Sequence, residues 1–287
     1  MINLPLIHKG KVRDVYQIDD NTLLMVASDR LSAFDVVLPD TIPFKGQLLT
    51  QISNYWFEMS TDIIANHLTH TPVQEVITHA DEDLIGRAVV VKKLKALPVE
   101  AIVRGYIIGS GWKDYQNTGK ICGIDLPENL KQAEKFKQPI FTPSSKAQVG
   151  DHDENITFAE MIDKIGEKLA IQIKNVSIKL YEMAAKHANE NGIIIADTKF
   201  EFGLDQDDNL VLMDEILTPD SSRFWNKAKY LVGTSPESYD KQFIRDYLET
   251  LDWNKTSPGP HVPKEIINAT ADKYQEAYQL ITGEHFK

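Results

Sequence analysis

Cysteine is nearly absent. Cys122 stands alone in 287 residues, so no disulfide can close within the chain, and nothing in the composition asks for an oxidising compartment. Its expected place is that of a small buried or half-buried apolar residue. Long apolar runs are missing too. Nowhere do about 18 apolar residues follow one another, which excludes an ordinary membrane-spanning helix, and the opening MINLPLIHKG lacks the charged and apolar regions of a secretory leader. Positive charge is in deficit, since 42 acidic against 31 basic residues leave a net charge of -11. Such a field opposes nucleic acids and anionic membranes. Low-complexity tracts, repeats, a Walker loop and a GxGxxG fingerprint are also lacking. A cytoplasmic protein acting on small molecules is expected, and any anionic ligand must be held by local cations.

The length allows a large core divided into two lobes with a cleft between them. Residues 11–17 (KVRDVYQ) and 23–28 (LLMVAS) predict two strands about a turn at 18–21. Residues 29–46 read as irregular, after which Leu48, Leu49, Ile52, Tyr55, Trp56 and Met59 recur at helical spacing. Residues 87–94 are strand-like again. Leu97-Pro98 interrupts the pattern, and the apolar 99–108 suits the first strand of a second lobe, so the boundary is placed between 1–97 and 98–287. Residues 117–153 have prolines and little periodicity, as a long functional loop region would. Thr157 and Glu160 make a capping box. The apolar stripe Ile165, Leu169, Ile173, Val176, Leu180, Met183 and His187 then predicts one long helix, or two in line, ending at Asn191-Gly192, with His187 a packed core histidine. Two more helices are expected over 239–251 and 263–282, with Pro263 in a first turn and Gly283 at an end.

Chemistry concentrates in a hairpin formed by 193–204 and 210–216. Period 2 puts Asp197, Lys199 and Glu201 on one face, with Thr198, Phe200, Phe202 and Leu204 on the core face. A two-residue turn at Asp207-Asp208 would set Glu201 directly opposite Asp214. Opposed carboxylates repel, so a cation between them is expected: either Mg²⁺ carrying nucleotide phosphates, or Lys199 alone. Asp205, Asp207 and Asn209 imitate a calcium loop, but Leu210 and Ile216 replace its glycine and closing glutamate. Elsewhere, Lys9, Gly10, Lys11 and Arg13 form a basic strand entrance able to wrap phosphate oxygens, and Lys92, Lys93 and Lys95 offer similar charge. The loop 28–35, with Arg30, Ser32 and Asp35, suits a zwitterion or its own turn bonding. Arg104 with Gly109-Ser110, and Ser221-Ser222-Arg223, set arginine beside hydroxyls, which suits a phosphate monoester.

Six ordered stretches, GKVRDVY (10–16), SDRLSAFD (28–35), VEAIVRGYIIGSGW (99–112), TPSSKAQVGDHDENIT (142–157), IADTKFEFGL (195–204) and MDEILTPDSSRFW (213–225), resemble the SAICAR synthetase family over nearly the whole chain, in its longer form. The resemblance implies an α+β bilobal fold, with an N-terminal antiparallel lobe, a larger second lobe and ATP between them. It implies a ligase of purine biosynthesis that activates an imidazole ribonucleotide carboxylate as an acyl phosphate and joins it to aspartate. By the same resemblance Lys9, Gly10, Lys11, Arg13 and Lys93 would hold ATP, while Glu201 and Asp214 would ligate Mg²⁺. Arg104, Ser110 and Arg223 would hold the ribonucleotide, with Asp197 and Lys199 beside the reacting carboxylate. Ser32, Asp35 and Lys146 are the candidates for aspartate. His152, Asp153 and Glu154 are an alternative metal cluster. The bilobal plan also suits a small-molecule kinase, although that reading leaves the 28–35 and 142–157 stretches without a task. A nucleotide-binding module without turnover would have no need to keep Lys11, Glu201 and Asp214 together.

Overall fold

A computed structural model describes residues 2–146, 154–239 and 241–286. The chain begins with β1 (Leu6–Lys9), β2 (Arg13–Gln17) and β3 (Thr22–Ala27), continues through a small hairpin of β4 (Arg30–Ala33) and β5 (Val36–Thr41), and enters α1 (Lys45–Met59). Two short helices, α2 (Val73–Val76) and α3 (Glu82–Arg87), lead into β6 (Ala88–Lys92), which closes an antiparallel sheet of order β1-β2-β3-β6. Residues 29–46 are therefore not irregular. Phe34 and Asp35 turn the small hairpin with positive φ of 51° and 64°, a conformation that aspartate tolerates but that a phenylalanine does not advertise.

The second sheet is built on two long strands. β7 (Lys95–Ala96) and β8 (Val99–Tyr106) precede α4 (Gly109–Thr118), the ribbon β9 (Lys120–Ile121) and β10 (Ile124–Asp125), β11 (Lys135–Phe141), β12 (Ser144–Ser145) and β13 (Glu154–Asn155). Helices α5 (Phe158–Ile165) and α6 (Glu167–Glu190) then deliver the chain to β14 (Ile193–Leu204), β15 (Leu210–Met213) and β16 (Ser222–Asn226), followed by α7 (Gln242–Glu249) and α8 (Lys264–Thr282). The sheet runs β13-β12-β8-β14-β15, with β11 on β8, and β7 and β16 on β14. The expected loop over 117–153 thus holds strands, of which β11 pairs with β8. Its apolar residues are separated by lysines and a proline, which hid them from a periodicity count.

The capping box forms as expected, with Thr157 accepting from the Glu160 amide and Glu160 reaching back to the Thr157 amide at 2.7 Å. Gly166, at φ 85°, separates α5 from α6. Helix α6 buries Ala170, Ile173, Leu180, Tyr181 and Ala184 against β8 and β14, each large side chain contributing roughly 1.5–3 kcal/mol by leaving water. His187 is packed, its Nε2 lying 3.1 Å from the Tyr55 hydroxyl and 2.8 Å from the Ile281 carbonyl. One apolar cluster joins Leu31 of the small hairpin and Leu48, Ile52 and Trp56 of α1 to Val103, Phe200, Phe202 and Leu212 of the second sheet, while the first sheet packs Leu24, Ala88 and Val90 with Val73 and Ile77 in a cluster of its own. The fold is α+β with antiparallel sheets. Among the described residues no helix is long and apolar enough to cross a membrane.

Candidate active site

Alternation along β8 sends Val99, Ala101 and Val103 into the core and leaves Glu100, Ile102 and Arg104 for the other face. β14 pairs Asp197 with Arg104 and Lys199 with Ile102, so Asp197, Lys199 and Glu201 share that face as expected. Arg104 is 2% exposed. Its guanidinium donates to Asp197 at 2.9 Å, to the Thr142 hydroxyl at 3.0 Å and to the Ser110 hydroxyl at 3.1 Å. Arg223, from β16, donates to the same Asp197 oxygen. A Cβ on Gly109, which sits at φ 61°, would stand 2.3 Å from the Arg223 guanidinium, so only glycine leaves that arginine its place. Burial foremost, with Arg223 adding to it, lowers the Arg104 pKa against the pull of Asp197. Two arginines on one carboxylate leave a surplus positive charge, and it faces a cleft of ≈ 240 Å³ lined also by Ser110, Lys199, Ser222 and Arg245. In a chain of net charge -11, that surplus is a place for an anion.

Beside it lies a row of alternating charge. Lys199 donates to Glu100 at 2.5 Å and to Glu201 at 3.1 Å, and Lys146 reaches the other Glu201 oxygen at 2.5 Å. Burial opposes each charge, but the partners outweigh it: Glu201 and Glu100 raise the Lys199 pKa, while Lys199 and Lys146 hold the Glu201 carboxyl down at about 2. Both groups are ionised at neutral pH.

The hairpin register differs by one residue from the expected one. Glu201 lies opposite Met213, not Asp214. The connection is a five-residue turn, because the Asp205 carboxylate accepts from the Asp207 and Asn209 amides at 2.9 and 2.8 Å and Asp208 takes a φ of 59°. The same bonding occupies the carboxylate that imitated a calcium ligand. Asp214 instead follows the strand at φ 68° and meets Arg13, at 2.6 Å, whose guanidinium also reaches Glu215 at 2.7 Å. Burial foremost, then Glu201 and Glu215, raise the Asp214 carboxyl despite Arg13. Among the described residues no three His, Cys, Asp or Glu side chains form a ready metal group. The donors that stand near one another are all hard oxygens: the Asp214 carboxyl is raised by burial foremost, and Glu201 and Glu215 set further negative charge beside it. That inventory fits Mg²⁺, which takes one or two carboxylates and completes its shell with waters and phosphates.

The predicted phosphate turn is formed by the chain itself. The Gly10 amide donates to the Arg13 carbonyl at 2.7 Å, and a Cβ on Gly10 would stand 2.7 Å from that oxygen. Arg30, from the 28–35 stretch, grips the outside of this turn through the Gly10 and Lys11 carbonyls at 3.1 and 3.0 Å and is held by Asp14 at 2.7 Å. That arginine shapes the turn and is occupied by it. Lys11 pairs with Asp35 across the two segments. Lys9 and Lys93 are exposed, and Ser32 contributes its carbonyl, 3.2 Å from the Lys241 ammonium. His152 and Asp153 lie outside the described residues; Glu154 pairs in β13.

Several functional-looking groups escaped the sequence reading. Glu100 stands in an apolar strand, where a single acid gives no pattern. Asp220 is buried between Lys45 at 2.8 Å and Lys241 at 3.2 Å and accepts from the Tyr274 hydroxyl at 2.9 Å. Burial resists that charge, but Lys241 and Lys45 prevail and lower its pKa. These partners come from three distant segments. Arg245 reaches the cleft from α7, although its place on an amphipathic helix reads as solvated surface.

The SAICAR synthetase family profile matches residues 6–260. The chain belongs to the SAICAR synthetase family. It is 58% identical over 292 residues to the phosphoribosylaminoimidazole-succinocarboxamide synthase of Stenotrophomonas maltophilia strain K279a, an alignment covering 98% of this chain and 94% of that protein. The Xanthomonas campestris pv. campestris strain B100 protein of the same name is 56% identical, with the same coverage of 98% and 94%. Among solved structures, the SAICAR synthase of Saccharomyces cerevisiae complexed with SAICAR superposes with a TM-score of 0.91 at 44% identity, covering 99% of this chain and 96% of that one. A SAICAR synthetase in complex with ADP gives 0.73 at 26% identity, covering 98% and 99%.

Proposed function

We propose that the cleft on the β8–β14 face joins L-aspartate to the carboxylate of 5-amino-1-(5-phospho-D-ribosyl)imidazole-4-carboxylate, with ATP converted to ADP and phosphate. The enzyme is an ATP-dependent carbon–nitrogen ligase of purine biosynthesis, and its family membership leaves the kinase alternative without support. The observation that carries the residue assignments is the surplus positive charge of Arg104 and Arg223 on Asp197, set directly beside the Lys199–Glu201 row.

Arg104, Ser110 and Arg223 hold the phosphate of the ribonucleotide, and Asp197 fixes both arginines while bordering, with Lys199, the carboxylate that reacts. That carboxylate attacks the γ-phosphorus of ATP and ADP departs. Aspartate's amine then adds to the acyl carbon, loses a proton, and expels phosphate with one former carboxylate oxygen. A carboxylate becomes a useful electrophile only after such activation, and transfer between anions requires fixed cations. Lys199 supplies one such charge where negative charge gathers. Lys9, Gly10, Lys11 and Lys93 line the nucleotide side of the N-terminal sheet, while Arg13 holds Asp214 for its task. Glu201 and Asp214 would hold Mg²⁺, which supplies charge neutralisation at the phosphates when bound. Ser32, Asp35 and Lys146 form the aspartate side, and we place the enzyme in the cytoplasm. A coupled ADP-release assay with ATP, aspartate and the ribonucleotide omitted in turn tests the proposal: amide product must require all three, and product formed without ATP would end it.

A further inference from the structure

Strand β14 changes faces in its middle. Ile193 and Ile195 point into the main core, Ile194 and Ala196 into a second cluster with Tyr106 and Trp225, yet beyond them Phe200, Phe202 and Leu204 fill the main core. Odd residues face the core before the change and even residues after it. The change is a bulge: β14 advances from Ile195 to Thr198 while β16 advances only from Phe224 to Ser222, so β14 carries the extra residue. Without it Asp197, Lys199 and Glu201 would point into the core and the phenylalanines into the cleft.

One side chain is placed to hold that bulge. Tyr181 of α6, 4% exposed, donates its hydroxyl to the Ile195 carbonyl at 2.7 Å. The β8–β14 pairing ends at Asp197 and Arg104, one residue short of Gly105. The Tyr181 hydroxyl occupies the space over Gly105, where a Cβ would stand 1.8 Å from its oxygen and 2.7 Å from its Cζ. The hydroxyl therefore needs glycine at 105, and the Ile195 carbonyl at the start of the bulge receives a donor from the helix.

We infer that Tyr181 and Gly105 are positioning residues for the reaction: they lock the β14 bulge that turns Asp197 toward Arg104 and Arg223 and so assembles the ribonucleotide pocket. The inference rests on the assignment of those arginines to the ribonucleotide. Tyr181→Phe removes only the hydroxyl. It is expected to raise the ribonucleotide KM by about 5–10-fold, the equivalent of one buried hydrogen bond, with the ATP KM within about twofold of wild type. Gly105→Ala should be more severe, because the ring must leave. Combining it with Tyr181→Leu, which vacates the space, should recover folding and the ATP KM while the ribonucleotide KM stays high. Arg104→Ala is assayed in parallel. If Arg104→Ala raises the ribonucleotide KM and Tyr181→Phe does not, or if Tyr181→Phe changes both KM values equally, Tyr181 is merely structural and the inference fails. An unchanged ribonucleotide KM in Arg104→Ala removes the site assignment, and the inference falls with it.

Discussion

Replacing Glu201 with glutamine keeps its shape and removes its charge. Folding lowers the Glu201 carboxyl from 4.5 to about 2, which corresponds to about 3 kcal/mol in favour of the ionised form. The side chain is 13% exposed, so solvent screens little of this. Glutamine recovers only part, because its single carbonyl oxygen can accept from one of the two lysines that now bond separate Glu201 oxygens, leaving an expected loss of about 2–3 kcal/mol at neutral pH. The fold survives that loss. The sign of its pH dependence follows from the direction. A carboxyl whose folded pKa lies below its unfolded value stabilises fully above 4.5, and the contribution disappears as pH falls through about 2. Denaturant unfolding of both proteins should therefore show a gap that is constant near neutrality and narrows in acid. Turnover should suffer more than stability, by at least about two orders of magnitude, if Glu201 holds the place in the metal site proposed for it, where its charge acts on the phosphoryl-transfer transition state. Steady-state ADP release at saturating substrates, with Mg²⁺ titrated, measures it. Near-normal turnover at limiting Mg²⁺ would remove Glu201 from the metal assignment, and a stability gap that widens in acid would refute the electrostatic account.

Asp214→Asn should separate stability from activity in the opposite sense. Its carboxyl is raised by burial and by Glu201 and Glu215, so the ionised form opposes folding above its unfolded pKa; stability should hold or rise in chemical denaturation while turnover falls by at least about two orders of magnitude. Arg223→Ala should weaken ribonucleotide binding by about 1.5–3 kcal/mol and leave ADP affinity nearly unchanged in separate calorimetric titrations. A fall in ADP affinity instead would place that arginine on the nucleotide side.

Much of this site was legible because β14 obeys period 2 where one face is wet. Thr198 to Leu204 alternate, and the carboxylates and lysine fell on the face where they stand. The bulge was not legible, because Ile193 to Ala196 are buried on both faces, in different clusters; an apolar run without alternation hides a change of face. The register of the hairpin missed by one because the Asp205 turn bonding adds residues that a two-residue turn lacks. Arg30 showed a related limit. Its neighbourhood of serine and aspartate resembled a zwitterion pocket, but only the fold reveals that Asp14 and the turn carbonyls of Gly10 and Lys11 already occupy its guanidinium. Lys45, Asp220, Lys241 and Tyr274 meet from four segments, a convergence no local pattern can announce.

The central claim is that ATP is used to make the carboxylate carbon reactive through a shared oxygen, and isotope transfer tests it most directly. With ¹⁸O in both carboxylate oxygens of the ribonucleotide, the reaction proposed for this cleft moves one labelled oxygen into inorganic phosphate at each turnover, and does so only when aspartate is present to complete the amide. Mass spectrometry of the phosphate should show label in step with product. Unlabelled phosphate accompanying amide formation would mean that ATP cleavage and ligation proceed without an acyl phosphate, and the account given for Lys199, Glu201 and their neighbours would be wrong.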